Sequence, residues 1–346
     1  MKKIFIGILL AGLLLSTIKK DVGYSNNENR MMQSFPKSST ILDGKFMEDF
    51  DKYASDQFIF RDNWLSAKTY IEFLTFKKCI NGVYITEDRL LNNYTETDFD
   101  DKQIEFNKAM INYFTKTYNA KVYLIPSSSE IYKNELPVFN NMTNINSKLE
   151  GLENYVLLDD LMNEHKDEYI YYKTDHHWTT LAAYYFYKDV LNGKCEFDEK
   201  LIDDDFYGTI HSKINMDLFS DEIHINGSDT HFEAYYDLGK EDKGIYFDKY
   251  LDGKDKYSYF LDSNHGLIEI VNNDIDNNKS IVIVKDSFSN CLVPFIAEDY
   301  KKVYVIDLRY FNINLSTYLK TIKYDEIYII YNKINFLQDA NFTKFR

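Results

Sequence analysis

The chain has 346 residues, room for one large or two modest domains, and 45% are hydrophobic, ample for a buried core. Fifty-five acidic against 40 basic residues leave a net charge of −15, so the chain is a poor candidate for binding nucleic acid or anionic lipid, both of which would repel it. With only 4 Pro and 13 Gly the chain is no low-complexity polymer. Its 30 Tyr read first as a Tyr-heavy core, with sugar stacking as the functional alternative.

Two lysines precede an apolar run over 4–18, the charged and apolar regions of an export signal. The run is shorter than the roughly 20 residues that span a bilayer comfortably. A small-x-small cleavage site is missing, so residues 1–20 are expected to be a signal peptide or signal anchor, with the balance towards an uncleaved anchor. The protein is then extracytoplasmic, at the cell surface, membrane-anchored or secreted. Residues 21–40 are polar and turn-rich and read as a stem. Residues 41–346 form the working domain.

That domain opens on helical spacing through Phe46, Phe50, Tyr53, Phe58 and Phe60. The segment 81–91 reads as a short hairpin. From about 101 helices and strands alternate: a helix to Tyr118, strands over 121–125 and 155–159, and a helix over 179–192. Residues 200–270 read as an irregular insertion with short strands such as GIYFDKY and YSYFL. Alternation returns with strands over 281–284, 303–308 and 326–331 and helices between them. Short apolar strands alternating with helices predict a three-layer α/β/α domain on a parallel central sheet. Cys79, Cys195 and Cys291 are odd in number and widely spaced, so neither a disulfide framework nor a zinc pattern is read. No cofactor is expected.

Two motifs carry chemistry. The first is Asp175-His176-His177-Trp178, in a turn just before a helix. A carboxylate and an imidazole two residues apart suit an acid that orients a base. The plain reading is a helix cap at Asp175 or Thr174 with the histidines and Trp178 packed. A metal reading is disfavoured, because adjacent side chains diverge and no HxH or HExxH spacing occurs elsewhere. The second motif is Lys285-Asp286-Ser287-Phe288, where an apolar strand runs into a helix. A serine there sits at the C-terminal edge of the sheet, beside unpaired N–H groups able to hold an oxyanion. Its plain reading is again a cap, and Ser289 is a competing nucleophile.

Together the two motifs resemble the DHHW protein family, which looks related to the alginate O-acetylation proteins of the AlgX and AlgJ type. Segments such as VYLIPSSSEIYKNELP, FYGTIHSK, YSYFLDSNHG and KDSFSNCLVPFIAEDY support the resemblance. It implies an SGNH-hydrolase-like fold and a triad in which Asp175 and His177 precede the nucleophile Ser287. His177, rather than His176, is then the base, and the role of His176 stays open. It also implies O-acetyl transfer to, or removal from, a cell-surface polysaccharide through an acyl-serine. The acyl donor would be supplied by a separate membrane-bound acyltransferase. No carbohydrate-binding module is read after the last strand, so the cleft itself is expected to hold the glycan.

Further candidates are Asn264 as an oxyanion donor, with a plain turn as its alternative, and Arg309 as a substrate contact, with an Asp307 ion pair as its alternative. Trp178 is a candidate sugar platform or a packing residue, and His176 a candidate substrate contact. The rival functions are a metal-dependent phosphoesterase at Asp175-His176, a non-catalytic glycan-binding surface protein, and a spore-coat or wall assembly protein with a degenerate site.

Overall fold

The computed structural model describes residues 2–25, 28 and 30–346. Met1 of the expected leader and Asn26, Asn27 and Asn29 of the expected stem lie outside the described residues. The segment expected as a leader is helical over Lys2–Ile18. Among the described residues no helix is long and apolar enough to cross a membrane.

Phe46, Phe50 and Tyr53 lie on the helix Phe46–Asp56, whereas Phe58 and Phe60 fall in the link before the next helix, Arg61–Leu74, which corrects the continuous helical spacing. The positive φ of Phe60 breaks the two helices apart. The expected hairpin is a three-stranded antiparallel unit, Cys79–Ile80, Val83–Ile85 and Leu90–Asn92. Its first turn is Asn81-Gly82, both at positive φ (51° and 76°), the backbone that a tight primed turn requires.

Seven strands build the central sheet: β1 (Lys121–Ile125), β2 (Tyr155–Leu157), β3 (Phe232–Tyr236), β4 (Leu267–Asn272), β5 (Ser280–Lys285), β6 (Lys302–Ile306) and β7 (Glu326–Asn332). Their spatial order is β3-β4-β6-β5-β7-β1-β2. The four pairings β6-β5, β5-β7, β7-β1 and β1-β2 are parallel. The expected all-parallel sheet is corrected at one edge, where β3-β4 and β4-β6 are antiparallel. Both added strands come from the region read as an irregular insertion. Antiparallel neighbours are joined at one end of the sheet, so the irregular connection over 237–266 carries the chain from β3 into β4 without a crossover helix. GIYFDKY and YSYFL are also corrected: they make an isolated bridge, Tyr246 to Phe260, and 3-10 turns at Asp248–Tyr250 and Lys256–Tyr259.

Side chains alternate between two cores. Ile281 and Ile283 of β5 join Tyr328 and Ile330 of β7 in one. Val282 and Val284 join Ile327 and Ile329 in the other. Strands covered on both faces need apolar residues at every position, which is why β5 reads as an unbroken IVIV run. Phe114 and Ile111 of helix Asp101–Tyr118 cover the second face. Ala182 and Phe295, from helices Thr180–Tyr185 and Val293–Asp299, cover the first. Each fully buried aliphatic side chain contributes about 1.5–3 kcal/mol, so the sheet centre is a rigid platform for whatever its C-terminal edge presents.

Candidate active site

One residue, Asp286, separates the end of β5 from Ser287, which opens a 3-10 turn, Ser287–Cys291. Asp286 caps that turn, its Oδ1 accepting the Phe288 N–H at 3.0 Å. Its Oδ2 accepts from the Asn332 N–H (2.9 Å) and the Asn335 amide (2.8 Å). Burial pushes this carboxyl up to about 6, against those bonds and the nearby Arg309. The cap is thus Asp286 and not Ser287, which leaves the serine hydroxyl for other work. The Ser287 N–H has no hydrogen-bond partner among the described residues. Ser289, the competing nucleophile, is fully buried with its hydroxyl directed to the Ile330 carbonyl.

The other motif sits in a loop closed by the Tyr171–Trp178 bridge. Thr179, rather than Asp175 or Thr174, caps the following helix. Asp175 is therefore free, and its Oδ1 accepts from His177 Nδ1 at 2.5 Å. A carboxylate accepts only, so Nδ1 carries the proton and Nε2 is the basic nitrogen. His177 Nε2 lies 2.8 Å from Ser287 Oγ. Burial, and then the charge of His176, push His177 down to about 4, against the pull of Asp175. Burial alone would raise Asp175, but the two imidazoles outweigh it and hold the carboxyl well below its usual range.

Several supporting residues were invisible to motif reading. Asp175 Oδ2 accepts from both the N–H (2.7 Å) and the hydroxyl (2.9 Å) of Thr209. With its proton on Asp175, the Thr209 oxygen accepts from His176 Nδ1 at 2.6 Å. Gly208 makes this approach possible: a Cβ there would fall 2.2 Å from Asp175 Cβ. Buried Asp221 pins the loop by accepting from the Lys173 and Thr174 N–H groups and the Tyr169 hydroxyl. Lys285 is fully buried, donates to Asn290 Oδ1, and is pushed down to about 8 by burial. Only the glycine and threonine of FYGTIHSK signalled that a tight turn was present.

The secondary candidates divide. Trp178 is fully buried and donates its indole N–H to the Phe288 carbonyl at 2.7 Å. That corrects the sugar-platform reading: it braces the nucleophile turn and presents no face to a ligand. Arg309 is paired to buried Asp307 (2.6 Å) and also donates to Asn264 Oδ1 (3.2 Å). Arg309 follows β6 and Asn264 precedes β4, at the same edge of the sheet as Ser287. His176 is partly exposed.

Asp175, His176 and His177 each offer a ligand atom, all within 4.8 Å of one another. Those atoms are already engaged with Thr209, Ser287 and each other, so a cation would have to displace the Asp175–His177–Ser287 chain.

Residues 127–209 and 242–306 match the family model described as DHHW protein. Over these two segments the chain is similar to the DHHW family. A DHHW family protein from Eubacterium siraeum shares its fold at 22% identity and a TM-score of 0.62, over 75% of this chain and 94% of that one. Bacillus cereus PatB1, solved with and without a sulfonyl adduct, aligns at 19% identity and a TM-score of 0.61. The alignment covers 74% of this chain and 96–97% of PatB1. The O-acetyltransferase domain of Pseudomonas putida AlgJ aligns with a TM-score of 0.42 at 11% identity, over 77% of this chain and 95% of that domain. No curated protein matches the chain. The DHHW tetrad is thus the Asp175–Trp178 loop, in which His177 reaches Ser287, Asp175 holds His177, and Trp178 braces the Ser287 turn.

Proposed function

We propose that this protein is an extracytoplasmic O-acetyltransferase or O-acetylesterase acting on a cell-surface polysaccharide through Ser287. The observation that carries the reading is the unbroken chain Asp175 Oδ1, His177, Ser287 Oγ, with links of 2.5 and 2.8 Å. Those are the distances that nucleophilic catalysis by an activated serine needs.

In the first half-reaction His177 Nε2 takes the Ser287 proton as Oγ attacks the acetyl carbonyl carbon. The carbonyl electrons move onto oxygen, where the free Ser287 N–H, at the start of the 3-10 turn, donates to the oxyanion. The oxyanion collapses, the bond to the donor's leaving group breaks, and His177 returns the proton to that group. In the second half-reaction His177 deprotonates a sugar hydroxyl, or water, which attacks the acetyl-serine and releases Ser287. Asp175 stays ionised and holds the imidazole throughout. A membrane-bound acyltransferase is the proposed source of acetyl groups, and the apolar N-terminal helix is the proposed signal or anchor that brings the two together.

The test is acetyl release from a chromogenic ester, together with labelling by a sulfonyl fluoride read by peptide mass spectrometry. Ser287→Ala and His177→Ala are each expected to lose about a thousandfold or more in kcat with the melting temperature kept. The label is expected on Ser287. Full activity in both variants, or a label elsewhere, would overturn the triad. The phosphoesterase rival rests on the clustered Asp175, His176 and His177 atoms. It is favoured only if a chelator abolishes activity and the serine variant does not.

A further inference from the structure

Strand register lays three side chains in a row along the C-terminal edge of the sheet. Val284 of β5 pairs with Ile306 of β6, and Ile306 pairs with Leu267 of β4. Three residues past Val284 comes Ser287, three past Ile306 comes Arg309, and three before Leu267 comes Asn264. Adjacent strands lie about 4.8 Å apart, so β4, which Asn264 precedes, runs ~10 Å from β5, which leads to Ser287, with β6 and Arg309 between them. The row is tied together: Arg309 donates to Asn264 Oδ1, and the Asn290 amide of the Ser287 turn donates to the Ser263 carbonyl.

Asn264 is also the near wall of a cavity of about 720 Å³, bounded further by Asp237, Leu238, Tyr310, Asn312 and Ile313. Gly266 shapes it. A Cβ at that position would meet the Tyr310 carbonyl at 2.7 Å, so only glycine lets the Tyr310 loop close against β4.

The lining is chemically mixed. Tyr310, Leu238 and Ile313 are exposed apolar surfaces. Between them stand two side-chain amides. The Asn264 oxygen is taken by Arg309, which leaves its NH2 as a donor. A flat aromatic face flanked by amides suits a sugar ring, whose C–H face is apolar and whose rim is hydroxyl. A long acyl chain would instead bury the free amide groups of Asn264 and Asn312 without partners.

The charge selects further. Asp237 is a carboxylate in the wall, and Arg309, which reaches the wall through Asn264, is neutralised by Asp307. His265 is held between Asp237 (2.7 Å) and Asp262 (3.4 Å). A uronic acid or phosphorylated sugar would meet negative charge with no spare cation in the wall among the described residues.

We propose that this cavity is a glycan subsite that accepts an uncharged sugar unit, neighbouring the unit that exchanges its acetyl group at Ser287. The inference rests on the acyl-transfer reading for the identity of the neighbouring unit, but sugar binding is measurable without turnover.

The experiment is calorimetric titration of the full chain carrying Ser287→Ala. The probes are an N-acetylated chito-oligosaccharide, a cello-oligosaccharide and an oligogalacturonate of equal length. At least one uncharged oligomer is expected to bind and the oligogalacturonate is not. Adding Tyr310→Ala is expected to weaken that binding roughly tenfold, the loss of one aromatic platform. Tyr310 is exposed, so the fold is expected to survive, which a melting curve checks. Phe139→Ala, at a 97% exposed ring outside the cavity, is the unchanged control.

The inference is overturned if no oligomer binds, if the oligogalacturonate binds as tightly as the uncharged ones, or if Tyr310→Ala and Asn312→Ala both leave binding unchanged. Ester turnover by the wild type without sugar binding would sink the subsite and leave the triad standing. Sugar binding without a Ser287-dependent activity would do the reverse.

Discussion

The imidazole of His177 lies face to face with the phenol ring of Tyr257, their centroids 3.8 Å apart and their planes 11° from parallel. Tyr257 is buried, and its hydroxyl contacts the Ser287 and Phe288 carbonyls, each at 3.1 Å. One residue from the region read as irregular therefore clamps the base and braces the nucleophile turn together. Tyr257→Phe keeps the stack and loses the hydroxyl. It is expected to cost about 1 kcal/mol of stability and a modest part of kcat. Tyr257→Ala removes the stack as well and is expected to cost about 3–5 kcal/mol. Urea denaturation alongside ester turnover separates the two, and equal losses in both variants would refute the clamp.

The pH profile follows from His177. Its folded value, about 4, lies below the unfolded 6.5. The base is neutral and competent at pH 5–6, so the acid limb of kcat/KM is expected near 4 and not near 6.5. The stability sign agrees in direction: the unfolded imidazole takes up its proton around 6.5 and the folded one only around 4. This contribution is complete above 6.5 and lost as pH falls through the window. His176 is among the causes of the depression, so His176→Gln is expected to move the acid limb upward. An unmoved limb would show that His176 does not act on the base.

Gly208→Ala tests the close approach to Asp175. A Cβ would lie 2.4 Å from Asp175 Oδ2 and 2.6 Å from its Cα. Backbone cannot yield as a flexible side chain does, so the loop must shift. A stability cost of about 1–3 kcal/mol is expected, with kcat lowered roughly a hundredfold as the Asp175–His177 bond misaligns. Steady-state kinetics and a melting curve check both parts.

Lys333 offers a contrast away from the nucleophile. It is fully buried and bonds Glu130 (3.0 Å), Asp159 (2.6 Å) and Asn146 (2.6 Å). Lys333→Ala strands the two carboxylates and is expected to cost about 3–5 kcal/mol, with residual turnover per folded molecule unchanged. Denaturant titration and active-site labelling of the folded fraction measure the two quantities separately.

The strands were legible because burial on both faces forces continuous apolar runs such as IVIV and EIYIIY. The two motifs were legible because each pairs reactive side chains with a strand or helix boundary. The antiparallel edge was not, since β3 and β4 carry no periodicity that tells one strand direction from the other. Trp178 reads first as a packing residue, as it proves to be, and the sugar platform stays open as its alternative because a tryptophan beside a catalytic motif has the same spelling whether its face is open or covered.

Sequence alone thus determined the local chemistry: a carboxylate and an imidazole in one turn, a serine at a strand end, and a sheet of covered strands. Tertiary structure alone decided which of these meet. His177 and Ser287 are 110 positions apart, and what joins them is strand order, register and the glycine that admits Asp175 to its backbone cradle. Those are long-range packing choices, set by how distant segments share one core, and no short stretch of residues encodes them.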